Sequence, residues 1–217
     1  MNLIILGPQG SGKGTQSEML AKKFDWEHID MGKYLREAAK LDTPVGKEIY
    51  HIQNVTKSLV PSRILKKVLH IKLADIPREK DIIFDGVPRT MGQAQYIEEA
   101  MLEAGRHIDK LVYINLPKEE SIKRISKRWI CKKCKTIFIM GKDIKDSKEL
   151  CRKCGGEIIQ RVDDTPGGIK KRLELFNGET VPMINHFREK GIVADINGKQ
   201  TIREVFKEIL KSLRTTN

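Results

Sequence analysis

The fold is decided by the segment Gly7-Pro8-Gln9-Gly10-Ser11-Gly12-Lys13-Gly14-Thr15. It follows a short apolar run at residues 2–6 and precedes a stretch, residues 15–24, that has the apolar spacing of a helix. A glycine-rich loop between a buried strand and a helix lets backbone N–H groups turn inward around an anion, and the helix N-terminus adds partial positive charge. A glycine-rich turn alone would explain the glycines but not Lys13. The segment therefore predicts a phosphate-binding loop.

The loop departs in one respect from the general phosphate-binding pattern. That pattern places Ser or Thr directly after the lysine, whereas here Gly14 intervenes and Thr15 carries the hydroxyl. The dinucleotide-binding pattern G-x-G-x-x-G is not met in this segment, which argues against a Rossmann-type site.

Further apolar runs lie at residues 82–84, 111–116 and 192–196, and helical stretches alternate with them. This alternation predicts an α/β fold in which a parallel sheet is covered by helices on both faces. Residues 31–60 are helical and polar with no strand of their own. Residues 129–164 differ in composition and contain short β-like runs, which indicates an inserted subdomain. The stretch 202–213 has the pattern of an amphipathic helix.

The charge balance favours anionic partners without choosing among them. The chain has 41 basic and 29 acidic residues, a formal net charge of +12. The lysines are spread along the chain, which is also typical of a solvated lysine-rich surface. The N-terminal apolar run is too short for a signal peptide, and no run approaches the roughly 18 apolar residues of a membrane span. We expect a soluble cytoplasmic protein with no membrane partner.

Four cysteines form two C-x-x-C pairs, and sixteen residues separate the pairs. That spacing is typical of a four-thiolate zinc site of structural type, because no coordination position stays open for catalysis. Redox use of one pair is the alternative, and four thiolates would also accept iron. The predicted ligands are Cys131, Cys134, Cys151 and Cys154.

Three more segments accompany the phosphate loop. One is Asp85-Gly86-Val87-Pro88-Arg89-Thr90, followed by Gln93. Another is Arg124-x-x-x-Arg128, and the third is Arg161-x-Asp163-Asp164 with Arg172 eleven residues after Arg161. Taken in this order with the loop, they resemble the motifs of adenylate kinases, which are nucleoside monophosphate kinases, and the cysteines resemble those of the zinc-containing members with a long lid.

The resemblance implies a P-loop NTPase fold with a parallel five-stranded sheet flanked by helices. It divides the chain into a core domain of residues 1–30, 61–126 and 165–217, a helical monophosphate-binding insert of residues 31–60, and a zinc-containing lid of residues 127–164. It also implies reversible, magnesium-dependent phosphoryl transfer, ATP + AMP = 2 ADP, by a monomer that binds no nucleic acid.

The resemblance assigns roles to the matched positions. The catalytic residues would be Lys13, Arg89, Arg128, Arg161 and Arg172. ATP would be bound by Gly10, Ser11, Gly12, Lys13, Gly14, Thr15, Arg124, Arg128, Ile137, Phe138 and Lys199. AMP would be bound by Met31, Arg36, Ser58, Leu59, Val60, Gly86, Arg89, Gln93, Arg161 and Arg172. Asp85 would hold Mg²⁺ through water, and the four cysteines would hold Zn²⁺.

Phosphoryl transfer suits such a set, because its catalysis consists mostly of positioning and charge stabilisation. Arginine binds phosphate oxygens in pairs, and a closing lid would exclude water. Individual positions have simpler explanations. Arg124 and Arg128 could belong to a solvated helix face, and Asp163 and Asp164 could merely precede a helix that Thr165 caps and Pro166 begins.

The resemblance is weakest in the helical insert. Family members typically have S-T-G-D where this chain has Asp30-Met31-Gly32-Lys33. Ser62-Arg63 stands where an acidic pair is usual, and Val87 replaces a phenylalanine. These changes leave the acceptor base open, so a monophosphate kinase with an acceptor other than AMP is one alternative. A nucleotide sensor without activity and a nucleic-acid-binding P-loop protein with zinc knuckles are two others.

Overall fold

The computed structural model describes residues 1–56, 58–161 and 164–214. Within them the strands and helices alternate along most of the chain. The strands are β1 Leu3–Leu6, β2 Glu27–Asp30, β3 Ile82–Asp85, β4 Lys110–Asn115, β5 Arg128–Cys131, β6 Ile137–Ile139, β7 Ile158–Ile159 and β8 Val193–Asn197. The α-helices are α1 Lys13–Phe24, α2 Met31–Ala38, α3 Pro44–Tyr50, α4 Ser62–Ala74, α5 Met91–Glu103, α6 Lys118–Ser126, α7 Pro166–Leu175, α8 Val181–Glu189 and α9 Ile202–Arg214. Short π-helical segments, His51–Thr56 and Phe176–Thr180, follow α3 and α7.

The main sheet has five parallel strands in the order β2-β3-β1-β4-β8. This confirms the α/β fold and the five-stranded sheet. The apolar runs at 2–6, 82–84, 111–116 and 192–196 supply four of its strands. The fifth, β2, was not predicted, because only Ile29 of its four residues is apolar and lies buried. As an edge strand, β2 needs fewer apolar residues than the central strands.

Alternate residues of β1 face opposite sides of the sheet. Leu3 and Ile5 pack with Leu20 of α1 and with Val205 and Ile209 of α9. On the other side, Ile4 and Leu6 join a larger cluster to which α4, α5 and α8 contribute. Because both faces are covered, the strand is apolar throughout, as parallel strands usually are. The predicted C-terminal helix is confirmed as α9.

The carboxyl ends of β1, β2 and β3 lie at one edge of the sheet. Ile5 pairs with Asp85, and Asp85 pairs with Asp30, so the segments that follow these three strands emerge side by side. The glycine-rich loop follows β1, α2 follows β2, and the segment beginning at Gly86 follows β3. Crevices at this edge are where open α/β sheets bind ligands.

A second, antiparallel sheet of strands β6, β5 and β7 carries the cysteines. Its core is small. Apart from cysteines, the fully buried apolar side chains are Phe138, Ile144 and Ile158. Such a cluster is too small to stabilise a folded unit by burial alone, so a further link within it is expected.

Residues 31–56 form α2, α3 and a π-helical segment, in agreement with the helical reading of that stretch. The Asp30 carboxylate caps α2 by accepting from the Lys33 N–H at 2.8 Å. Thr165 caps α7 through the Gly168 N–H at 3.2 Å, and Pro166 begins that helix, as predicted. Among the described helices, none is long and apolar enough to cross a membrane.

Candidate active site

The loop between β1 and α1 has the conformation that an anion site requires. Gly10 and Gly12 have φ of 75° and 90°, the left-handed region that favours glycine. Gly12 precedes α1, and no side chain caps the first N–H groups of that helix. A Cβ on Gly7 would lie 2.6 Å from the Ile114 carbonyl oxygen, so only glycine fits there. Free N–H groups at the helix start therefore face a loop of minimal side-chain bulk.

Helix α6 supports the back of this loop. The Ser121 hydroxyl donates to the carbonyl of Gln9, and Arg124 Nη1 donates to the carbonyl of Gly10 at 3.3 Å. Arg124 Nε also donates to Glu120 at 3.0 Å. Arg124, one of the residues expected to bind ATP, is thus attached to the phosphate loop.

Lys13 and Arg89 meet beside Gly86. A Cβ on Gly86, whose φ is 72°, would lie 3.2 Å from Arg89 Nη2 and 3.7 Å from Lys13 Cε. Arg89 is held there because its Nε donates to the Gly86 carbonyl at 2.7 Å. The loops after β1 and β3 therefore bring two cations to one point, where an added side chain would crowd them.

The predicted cations influence one another strongly. Burial, together with the charges of Arg89, Arg128 and Arg161, lowers the pKa of Lys13 to about 8 against the opposing effect of Asp85. Burial and the charges of Arg172, Arg161 and Arg36 likewise lower the pKa of Arg89. The structure therefore brings together Lys13, Arg36, Arg89, Arg128, Arg161 and Arg172.

Asp164 holds two of these arginines in place. Its carboxylate is fully buried and accepts from Arg128 Nε at 2.9 Å, from Arg128 Nη2 at 2.7 Å and from Arg172 Nη2 at 2.8 Å. The carboxylate therefore joins the first residue of β5 to α7. Asp163, which the resemblance paired with Asp164, lies outside the described residues.

Asp85 ends β3 and faces the start of α1. Its Oδ2 lies 3.3 Å from His28 Nε2, and it would lie 3.4 Å from a Cβ on Gly14. Burial opposes protonation of His28, but the hydrogen bond and charge of Asp85, together with the charges of Asp30 and Glu18, raise the pKa of His28. A Cβ at position 14 would therefore be in ordinary van der Waals contact with this carboxylate. Sequence reasoning missed His28, because β2 was not recognised as a strand.

Gln93 is buried and fixes two neighbouring segments. Its Oε1 accepts from the Arg89 N–H at 2.7 Å, and its Nε2 donates to the Val60 carbonyl at 3.0 Å. One lone pair and one N–H of the amide take part in these contacts. Gln93 thus ties Arg89 to the segment that precedes α4.

The other residues predicted to bind nucleotide occupy varied environments. Met31 is buried at the start of α2, and Ser58 is exposed. Phe138 is packed inside the small sheet, whereas neighbouring Ile137 is exposed. Lys199 lies after β8, where its N–H donates to Asn197 at 3.0 Å. Leu59 lies beside Val60 in the segment before α4.

The four cysteines converge as their spacing predicts. Their sulfurs all lie within 4.8 Å of one another. The Sγ atoms of Cys131 and Cys154 are 3.5 Å apart, as are those of Cys134 and Cys151. Four thiolates around a tetrahedral ion with bonds of about 2.3 Å would be separated by about 3.8 Å, so the site fits one metal ion.

Gly156 makes this convergence possible. A Cβ there would lie 2.9 Å from Cys131 Sγ and 3.4 Å from Cys154 Sγ, so a larger residue would displace a ligand. No bond joins the cysteines in pairs.

Comparisons with known proteins agree with this geometry. A family model described as adenylate kinase matches residues 5–192. The chain belongs to the adenylate kinase family. Proteins named adenylate kinase from Dehalococcoides mccartyi and Caldicellulosiruptor bescii are 36% and 37% identical to it over 213 residues, covering 98% of this chain and 98% and 99% of theirs. One from Archaeoglobus fulgidus is 37% identical over 211 residues, covering 96% of each chain.

Membership of the adenylate kinase family confirms the resemblance and makes this chain a nucleoside monophosphate kinase by class. The matches extend over nearly the whole chain and are not limited to the cysteine region.

Replacing Asp164 with alanine is expected to destabilise this kinase by about 3–5 kcal/mol, because Arg128 and Arg172 would keep their buried charges without the carboxylate between them. Urea unfolding of Asp164→Ala would measure the loss. The control is Glu174→Ala, which removes the exposed partner of Lys170 and should change stability by less than about 1 kcal/mol. Equal effects of the two substitutions would contradict the bridging role of Asp164.

Proposed function

We propose that the chain transfers the terminal phosphoryl group of ATP to AMP and releases two ADP, reversibly and with Mg²⁺. The observation that carries this proposal is the set of Lys13 and five arginines that face one region at the carboxyl edge of the sheet. Neighbouring cations repel one another, so a site that gathers this many of them suits an anionic ligand. A pair of nucleotides with a phosphoryl group between them is such a ligand.

Specific protein groups can then be assigned to substrate binding and to stabilisation of the transferring group. The loop N–H groups and Lys13 bind the ATP phosphates, and Arg36 and Arg89 bind the phosphate of AMP. An oxygen of that phosphate attacks the terminal phosphorus of ATP as the bond to the ADP oxygen breaks. Arg128, Arg161 and Arg172 stabilise the negative charge on the transferring group. No covalent intermediate with the protein is needed.

Mg²⁺ would neutralise charge on the ATP phosphates. Asp85 is suited to hold it through water, because its carboxylate lies beside the start of the loop helix and is aligned by His28.

The acceptor is AMP on the strength of Gln93. Its contacts with Arg89 and Val60 use one acceptor position and one donor hydrogen, so one of each is left for a base edge. The adenine edge offers the matching acceptor and donor. Another nucleoside monophosphate is the second candidate, favoured by Met31 and Lys33, which replace the hydroxyl and the acid usual in the family.

We assign each part of the proposed function to a segment of the chain. Residues 31–60 would form the monophosphate-binding insert, residues 127–164 the lid over ATP, and the rest the core. Arg128 and Asp164 lie at the two ends of the proposed lid and are bonded to each other. That link suits a lid that moves as one unit on the core. Arg124, Ile137, Phe138 and Lys199 would contact the ATP base.

The four cysteines would bind one structural Zn²⁺ in the lid. Two observations support this: the four thiols lie close enough together to occupy all four positions of a tetrahedral ion, and the small sheet has few buried apolar residues of its own. The chain would act as a cytoplasmic monomer and bind no nucleic acid.

The reaction is tested by supplying ATP and Mg²⁺ with AMP, dAMP, GMP, CMP or UMP and quantifying the nucleoside diphosphates. Two ADP from ATP and AMP is the expected product, and AMP should have the highest kcat/KM of the acceptors. Lys13→Met should lower kcat by about 10³-fold or more, because the charge that follows the phosphoryl group is lost. Lys207→Met, which removes an exposed lysine on α9, should match the unaltered enzyme.

Preference for another acceptor would replace AMP in the proposal and leave the reaction class intact. ATP binding without turnover of any acceptor would instead support the nucleotide-sensing alternative. Near-normal activity of Lys13→Met would contradict the charge mechanism.

Lys13 should make ATP binding depend on pH. Its pKa is about 8 in the free chain, and bound phosphates would raise it. Affinity is then fully present below pH 8 and falls as pH rises above 8, by up to about tenfold per pH unit until the bound-state pKa is reached. Calorimetry with a non-hydrolysable ATP analogue between pH 7 and 10 would measure this, and Lys13→Met should lack the dependence. Constant affinity over that range would refute it.

Elemental analysis should find about one zinc per chain. Removal by a chelator should lower the Tm, because four thiolates in a small unit would then be held together only by weak contacts. Cys151→Ser should lower both metal content and Tm, whereas Ser147→Ala, an exposed change in the same region, should alter neither. Iron in place of zinc would change the identity of the metal, and absence of any metal would rule out the site.

A further inference from the structure

Gln9 in the phosphate loop has an unusual side chain for its position. Both its Nε2 and its Oε1 are buried, and neither has a hydrogen-bond partner. Within the described part of the chain, it is the one side chain with two separate polar atoms that are both buried and unpaired. Ser11 Oγ, two residues further along the loop, is also buried without a partner.

The position of Gln9 is fixed by its backbone. The Pro8 carbonyl accepts from the Ser11 N–H at 3.2 Å, so residues 8–11 form a tight turn with Gln9 in it. The carbonyls of Gln9 and Gly10 both accept hydrogen bonds from α6. A Cβ on Gly10 would lie 3.2 Å from Arg124 Cβ, so the loop is packed directly against that helix. The amide of Gln9 therefore remains unpaired on a loop held in one place.

Unpaired amides of this kind are rare, because burial removes water without supplying a substitute. Two such atoms in one side chain indicate that a partner absent from the free chain completes the site. The loop already presents free N–H groups at the start of α1, which suit phosphate. The same ligand is therefore the simplest partner for Gln9.

We propose that the carboxamide of Gln9 binds the terminal phosphoryl group of ATP through its Nε2–H. This extends the proposed function and rests on it. Phosphate oxygens only accept hydrogen bonds, so the amide nitrogen, and not Oε1, meets them. Gln9 adds a neutral donor to a group of charges that already repel one another, and so stabilises the phosphoryl group without adding to that repulsion.

The test replaces Gln9 with leucine, which keeps most of the volume and removes both polar atoms. Binding of a non-hydrolysable ATP analogue should weaken about tenfold or more, whereas AMP binding should change by less than about twofold. The Tm of the free chain should not fall, since no hydrogen bond is lost there. The rise in Tm on adding the ATP analogue should shrink. Gln9→Glu should weaken the analogue further, since a carboxylate repels phosphate.

Gln16→Leu is the matched control. Gln16 is buried on α1, one of its amide atoms is unpaired, and its Nε2 donates to the Ile202 carbonyl of α9 at 3.0 Å. Its loss should lower the Tm of the free chain and leave affinity for the ATP analogue within about twofold.

A lower Tm for Gln9→Leu with unchanged affinity for the ATP analogue would assign Gln9 a structural role and overturn the proposal. If Gln9→Leu does not fold, Gln9→Glu decides, and wild-type affinity in that variant would overturn the proposal as well. These measurements need no turnover. A chain that binds ATP through Gln9 but phosphorylates no acceptor would contradict the proposed function and not this inference.

Discussion

Repulsion among neighbouring cations is the constraint on which the site depends. Lys13 and five arginines converge at one edge of the sheet, and burial makes their mutual repulsion stronger than it would be in water. Among the described residues, two buried carboxylates oppose it. Asp164 joins Arg128 to Arg172, and Asp85 acts on Lys13 and Arg89. The described cations at this edge therefore outnumber the buried carboxylates that oppose them, which suits an anionic ligand.

The fold follows from residues whose local requirements are strict. The phosphate loop can be recognised from sequence because its glycines lie between an apolar strand and a helix. Gly10 and Gly12 adopt left-handed conformations that favour glycine, so the residue type predicts the backbone geometry. The same holds for the cysteine pairs, whose spacing limits where their thiols can meet. Strand β2 could not be predicted, because its pairing with β3 stabilises a segment whose own residues are mostly polar.

The site is harder to predict from sequence than the fold, because several of its contacts join residues that are far apart in the chain. The arginines could be predicted as a set because they fall in a recognisable order. His28 and Gln9 could not. The role of His28 comes from a carboxylate 57 residues away, and the unpaired state of Gln9 depends on what packs around its side chain. Gln93 was predicted as a binding residue, but the sequence did not indicate its second role. Its amide also holds Arg89 and the segment at Val60 in place.

Stability and ligand binding are opposed in the loop. Lys13 with a lowered pKa, the unpaired hydroxyl of Ser11 and the unpaired amide of Gln9 each destabilise the free chain. All three lie within five residues of sequence, on a backbone anchored to α6 and to the sheet. Because this backbone is held in place, the three side chains cannot reorient to form hydrogen bonds with other protein groups or with water. In the proposed function, the free energy that the chain forgoes in the loop would be recovered when phosphate binds, at the atoms around which the transfer would take place.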